Sequence, residues 1–145
     1  MDEFINFLIK ARNECYQSGA SPIKPTRPNS YDLEYTNGKY TYRLSSLGGL
    51  DSVGQEAIWM NNRPIWAMNY NGRVVSDGFH GTFFREALLE IDHDHPFRGP
   101  CYYKKGDYTY VSSTEGDLLW FYGREEIYHE EKLVYEGFFH GGRIK

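Results

Sequence analysis

The sequence predicts an α+β fold: a mainly antiparallel β-sheet with two helices, built by internal duplication of a helix-plus-four-strand unit. Three observations predict it. Residues 31–36 and 39–44 alternate in polarity on either side of Asn37-Gly38, the pattern of a two-residue hairpin. Residues 2–17 and 82–91 instead carry a helical period. Segments of the first half also recur, in order and at nearly constant offset, in the second. Tyr35-x-x-Gly38-x-Tyr40-Thr41-Tyr42 matches Tyr103-x-x-Gly106-x-Tyr108-Thr109-Tyr110, and Gly54-Gln55-Glu56-Ala57-Ile58-Trp59 matches Gly123-Arg124-Glu125-Glu126-Ile127-Tyr128.

Each element follows from local chemistry. In residues 2–17, Phe4, Leu8, Ala11 and Cys15 form an apolar stripe, with Ile5, Arg12 and Tyr16 beside it; Gly19 is the expected stop. Pro22, Pro25 and Pro28 make the next stretch an extended loop. A turn centred on Asn37-Gly38 sets Tyr35 opposite Tyr40, Leu33 opposite Tyr42 and Asp32 opposite Arg43, with Leu33, Tyr35, Tyr40 and Tyr42 on one face. Residues 45–54, with Gly48, Gly49 and Gly54, read as loop or bulged strand. Residues 55–60 and 64–70 read as a hairpin around Asn61-Asn62-Arg63. Asn71-Gly72 marks a further turn before a short strand at 73–75.

In the second half, Phe83 and Ala87, with Leu88 or Ile91, define one face of the helix at 82–91, and residues 92–100 form a loop. Residues 101–104 and 107–112 pair around Lys105-Gly106, and 118–122, 125–128 and 132–139 complete the strands. The chain is thus a single domain, residues 1–145, with halves at about 2–75 and 78–142. Neither half can bury a sheet face alone, so the two must pack together.

Composition narrows the function. Sixteen basic against 20 acidic residues give a net charge of −4, which argues against nucleic-acid binding by this chain alone. No apolar run approaches the ~18 residues of a membrane span. The acidic start and the two unpatterned cysteines, Cys15 and Cys101, point to a reducing, cytoplasmic setting. Phosphate-binding loops, nucleophile elbows and zinc-protease motifs are missing, so the balance leans against an enzyme of familiar class. Asp92-His93-Asp94-His95 is dense in metal-capable groups, yet neighbours on an extended loop point apart, and no metal or cofactor is expected. His80 and His140, each between Phe and Gly, suit either a hydrogen-bonded strand end or a base.

The aromatic content is the most informative feature: 13 Tyr, 9 Phe and 3 Trp. Such side chains suit pockets for flat or amphipathic ligands. The repeat places Trp59 and Trp66 in one half and Tyr128 and Tyr135 at matching places in the other. These four are expected to line a cleft between the halves. Glu56 and Glu125 would stand at its edge, with Arg98 and Arg124 as their charge partners. The expected function is a non-catalytic binding or sensor domain for a small molecule or peptide. The alternatives are a protein-interaction module of inhibitor or immunity-like type and an enzyme of unfamiliar class using Glu56, Glu125 or a histidine; the partners open to it include another protein and a second copy in a homodimer.

The runs Gly54-Gln55-Glu56, Pro64-Ile65-Trp66-Ala67-Met68-Asn69-Tyr70-Asn71-Gly72, Pro96-Phe97-Arg98-Gly99-Pro100, Gly123-Arg124-Glu125-Glu126-Ile127-Tyr128 and Phe139-His140-Gly141-Gly142 resemble an uncharacterised bacterial domain family. Its members occur alone or behind a helix-turn-helix DNA-binding domain in transcriptional regulators. The resemblance runs from about Phe4 to Gly142. It implies a bacterial cytosolic protein and carries no activity, ligand or catalytic residue with it. This chain has no helix-turn-helix segment.

Overall fold

Residues 1–17 and 22–145 are described by the computed structural model. Helix α1 (Asp2–Tyr16) precedes β1 (Tyr31–Asn37), β2 (Tyr40–Gly48), β3 (Ser52–Met60) and β4 (Arg63–Val74). Helix α2 (Gly81–Leu89) precedes β5 (Tyr102–Lys105), β6 (Tyr108–Asp117), β7 (Trp120–His129) and β8 (Lys132–Arg143). The eight strands form one antiparallel sheet in the order β1-β2-β3-β4-β8-β7-β6-β5. This is the α+β class that the sequence predicts. Exchanging β1–β4 with β5–β8 leaves that order unchanged, and β4 and β8 meet at its centre.

The helix stop expected at Gly19 lies outside the described residues. Helix α1 buries Ile5, Phe7, Leu8, Ala11, Arg12 and Cys15 against the sheet. Asp2 and Glu3 in its first turn favour the positive end of the helix dipole. Helix α2 is shorter than its periodicity suggests; His80 caps it, its Nδ1 accepting from the Phe83 amide at 3.2 Å.

The first hairpin forms with its turn one residue later than expected, so each cross-strand partner moves by two. Asn37 pairs with Tyr40, and Gly38-Lys39 make the turn. Gly38 has φ 63°, whereas Asn37 stays extended. A turn with positive φ only at its first central residue fits the type II′ pattern, which selects glycine there. Tyr35 consequently faces Tyr42, Leu33 faces Leu44, and Arg43 pairs with Glu34 rather than Asp32, at 2.6 Å. The type I′ signature sits one hairpin later, where Asn61 and Asn62 have φ 50° and 69° between the paired Met60 and Arg63.

Asn71-Gly72 is not a turn. Strand β4 runs through it, paired with β3 and β8. Gly72 is there for space, since a Cβ would lie 1.8 Å from the Tyr135 hydroxyl. Strand β7 starts at Trp120, two residues later than expected, because Leu118-Leu119 form the β6–β7 turn.

The helices cover one face of the sheet. Phe7, Leu8, Tyr42, Ile58, Trp66, Phe121 and Phe139 pack in one core cluster, and Phe83, Ala87, Tyr110, Ile127, Val134 and Tyr135 in another. Most of the aromatic excess is spent here: Trp66 stacks on Phe121 at 6.0 Å and Phe84 leans on Tyr135 at 4.7 Å. The other face carries the alternate residues of the same strands and has no helix over it.

Candidate functional site

The eight residues picked out by the sequence divide between the two faces. Trp66 and Tyr135 are buried under the helices, paired with Ile58 and Ile127 respectively. The Trp66 indole N–H donates to the Leu118 carbonyl at 3.0 Å. Trp59 and Tyr128 are half-buried. Each follows an inward-facing isoleucine, Ile58 or Ile127, at a point where the pairing register shifts. The four aromatics therefore do not line one cleft. Strand alternation sends two inward and two outward.

Glu56, Glu125 and Arg98 lie inside, while Arg124 lies outside and binds Glu126 at 2.9 Å. Glu56 accepts from Arg12 Nε at 2.7 Å and from the Tyr42 hydroxyl at 2.7 Å. Glu125 accepts from Arg98 Nε at 3.3 Å and from the Tyr110 hydroxyl at 2.8 Å. The two carboxylates occupy matching places, as the repeat suggests, but their arginines come from different places: helix α1 for one, the loop after α2 for the other. Arg12 also donates to the Pro96 and Phe97 carbonyls, at 3.0 and 2.6 Å, which pins that loop beneath α1. Arg98 sits 4.1 Å from the centre of the Tyr70 ring.

Burial, and then the adjacent carboxylate, push the Tyr42 and Tyr110 hydroxyls well above the ordinary tyrosine range, so both remain donors. Burial works against the charge of Arg98, but Glu125 together with the hydroxyls of Tyr16, Tyr70 and Tyr135 outweighs it and holds the guanidinium above its usual range. Neither glutamate lines the opening on the other face described below. With Arg12, Tyr42, Arg98 and Tyr110 all hydrogen-bonded to the two carboxylates, the arrangement suits cross-linking of helix, loop and sheet better than acid–base chemistry.

A pocket of about 470 Å³ does open on the face away from the helices. Its outer wall is the proline-rich loop 22–30. Asp32 holds that loop, accepting from the Thr26 and Ser30 hydroxyls at 2.7 and 2.5 Å. Burial would raise the Asp32 carboxyl, but the hydroxyl hydrogen bonds outweigh it and keep it below the usual carboxylate range. Arg27 reaches back from the loop to the Ser45 hydroxyl at 2.6 Å. Gln55, Ala57 and Asn69 form the floor, with Gln55 donating to Asn69 at 2.9 Å. Trp59 forms the far wall, with the Arg43 guanidinium 5.9 Å from its ring. Arg43 is paired with Glu34. Among the described residues, no carboxylate lies within ion-pair distance of Arg27.

Of the sequence candidates only Trp59 lines this pocket. Arg27 carried a signal, since Pro25-x-Arg27 parallels Pro96-x-Arg98. The two loops nevertheless aim their arginines to opposite sides of the sheet. Gln55 and Asn69, ordinary polar residues in sequence, become neighbours only through the β3–β4 register.

The Asp92–His95 run forms a tight turn, with the His95 amide bonded to the Asp92 carbonyl at 2.9 Å and the Asp94 amide to the Asp92 side chain at 2.9 Å. His95 packs edge-on against Phe97 at 5.0 Å, its Nε2 buried without a partner. Burial, only partly offset by Asp92, lowers the His95 pKa below its ordinary 6.5. A depressed folded-state pKa means that the unfolded chain binds the proton more readily. Stability is then full above about 6.5, the unfolded value, and declines as pH falls below it. Thermal melts between neutral and mildly acid pH should show this decline, and His95→Asn should flatten it; equal slopes in the two proteins would refute the assignment. Exposed Asp107 and Glu130 and half-buried His129 form a separate group, their ligand atoms within 4.8 Å of one another, where two hairpin tips meet.

Fold and pocket together define an α+β single-sheet domain with a ligand-sized opening on its bare face. Residues 45–144 match the family described as "Domain of unknown function (DUF5680)", and the chain belongs to that family. Neither a curated protein nor a solved structure matches it. Among the described residues, no helix is long and apolar enough to cross a membrane.

Proposed function

We propose that the chain is a non-catalytic sensor domain that binds a small acidic ligand with a planar part in the Arg27–Trp59 pocket. The observation that carries this reading is the pairing of an arginine without a carboxylate partner and a half-buried tryptophan on one cavity. A guanidinium fork recognises a carboxylate through two parallel hydrogen bonds. The Trp59 ring offers a stacking face, and the Gln55–Asn69 pair offers amide donors and acceptors at the floor. The volume falls within the ~300–1,000 Å³ range of small-molecule sites.

The test is a titration of tryptophan fluorescence with benzoate and indole-3-carboxylate, and with their uncharged amides. The carboxylates should bind and the amides should not. Arg27→Ala should weaken binding about 10- to 100-fold, the worth of a charge-assisted hydrogen bond. Equal binding of acids and amides, or an unchanged affinity in Arg27→Ala, would refute the reading.

The two halves, in this proposal, descend from one duplicated helix-plus-four-strand unit. Supporting this are the shared strand order on either side of β4–β8, the matching Tyr42–Glu56 and Tyr110–Glu125 bonds, and the register shifts at equivalent places. A bacterial, cytoplasmic setting and a link to transcriptional regulators, suggested by the sequence resemblance, would suit a domain that reports a metabolite.

A further inference from the structure

On the uncovered face of β7 and β8, well away from loop 22–30, three large aromatics stand in the open. Trp120 is 78% exposed, Tyr122 59% and Phe138 49%. The register explains their grouping. Trp120 and Tyr122 are two residues apart on β7, opposite Gly142 and His140, and Phe138 lies one row further along β8, opposite Arg124. Gly142 leaves the Trp120 ring without a side chain across from it.

The next strand gives the strip a charged flank. Asp117 on β6 lies directly opposite Trp120, and Glu115 directly opposite Tyr122. Among the described residues, neither carboxylate has a cation within ion-pair distance. By contrast Glu126 and Glu136, further along the same face, are taken up by Arg124 and Arg73. Exposed Trp and Tyr grouped in this way are the residue types that anchor protein interfaces. The unpaired acids decide what they anchor. A nucleic acid or an anionic membrane is repelled by them and by the net charge of −4. A second copy brings the same net charge.

We propose that this strip docks an extended segment of another protein that alternates large apolar side chains with Lys or Arg. Apolar side chains would settle among Trp120, Tyr122 and Phe138, while the cations would meet Glu115 and Asp117. This surface is separate from the Arg27–Trp59 pocket, and either could exist without the other.

The test uses the whole chain and two synthetic peptides of about twelve residues, one alternating Leu and Lys and one alternating Leu and Glu, a length that spans a typical strand pair. Binding is followed by fluorescence anisotropy of labelled peptide, and self-association by sedimentation velocity. The Leu-Lys peptide should bind and the Leu-Glu peptide should not. Trp120→Ala should weaken binding by about tenfold or more, as for an interface anchor. Glu115→Gln with Asp117→Asn should weaken it and reduce its salt dependence. Arg27→Ala should leave it unchanged. Because these side chains lie in solvent, melting temperatures should stay near that of the unaltered protein. Equal binding of both peptides, unchanged affinity in Trp120→Ala, or a dimer that Trp120→Ala dissociates would overturn the proposal; the last would assign the strip to a second copy.

Discussion

Glu56→Ala is expected to destabilise the domain by about 3–5 kcal/mol, the usual result of removing one member of a buried ion pair. Arg12 and Glu56 are both fully shielded from solvent. Without the carboxylate, the guanidinium keeps only the Pro96 and Phe97 carbonyls and the Met68 sulfur as partners, and its charge stays uncompensated. Total stability for a domain is about 5–15 kcal/mol, so this single change removes a large share of it. Glu56→Gln should cost less, because its amide oxygen still accepts from Tyr42. The double variant Arg12→Met with Glu56→Leu should recover much of the loss, because no charge is then left unpaired. Urea titration of the four proteins measures the series. A Glu56→Ala midpoint close to the unaltered protein's would show that the pair is not the cross-link described here.

Phe121→Ala should cost a similar ~3–5 kcal/mol by a different route. Phe121 is buried beneath α1, stacked on Trp66 at 6.0 Å and touching the Phe97 and Phe139 rings at centroid distances of 5.0 and 6.4 Å. Rigid rings on three sides cannot close the gap that alanine would leave, so the cavity persists. Phe121→Leu should lose far less. Trp120, next in the chain, points to the opposite face, and Trp120→Ala should barely change stability. Thermal melts of the three variants give the comparison. A Phe121→Ala loss as small as that of Trp120→Ala would mean that the core collapses into the space.

Both predictions concern residues whose importance was only half visible in sequence. Phe121 stood out as one of many aromatics in a strand. Glu56 and Glu125 stood out as repeat partners, and the structure gives them matching tyrosine hydroxyls. What sequence pattern misassigned was their role. The repeat puts them at the edge of a cleft with Arg98 and Arg124; Glu125 does pair with Arg98, but inside the core, and the partner of Glu56 is Arg12, 44 residues away. Arg12 lay beside the apolar stripe of α1 and looked like a residue at its border.

The amino-acid sequence alone determines what is local. Alternation fixes that Leu33, Tyr35, Tyr40 and Tyr42 share a face, and this holds even though the turn forms one residue later than expected, because moving the turn by one shifts each cross-strand partner by two and so preserves the faces. Glycine and asparagine mark the turns at Gly38, Asn61-Asn62 and Gly106, since few other residues accept a positive φ, whereas the Leu118-Leu119 and Glu130-Glu131 turns carry no such signal. The tertiary structure alone decides which face the helices cover. That choice depends on where α1 and α2 dock, which is an energy summed over residues far apart in the chain. It sends Trp66 and Tyr135 into the core and leaves Trp59 and Tyr128 outside. It likewise turns Arg98 inward while Arg27, in a similar tripeptide, faces the open pocket. Alternation says which side chains travel together, and only packing says which of them meet solvent.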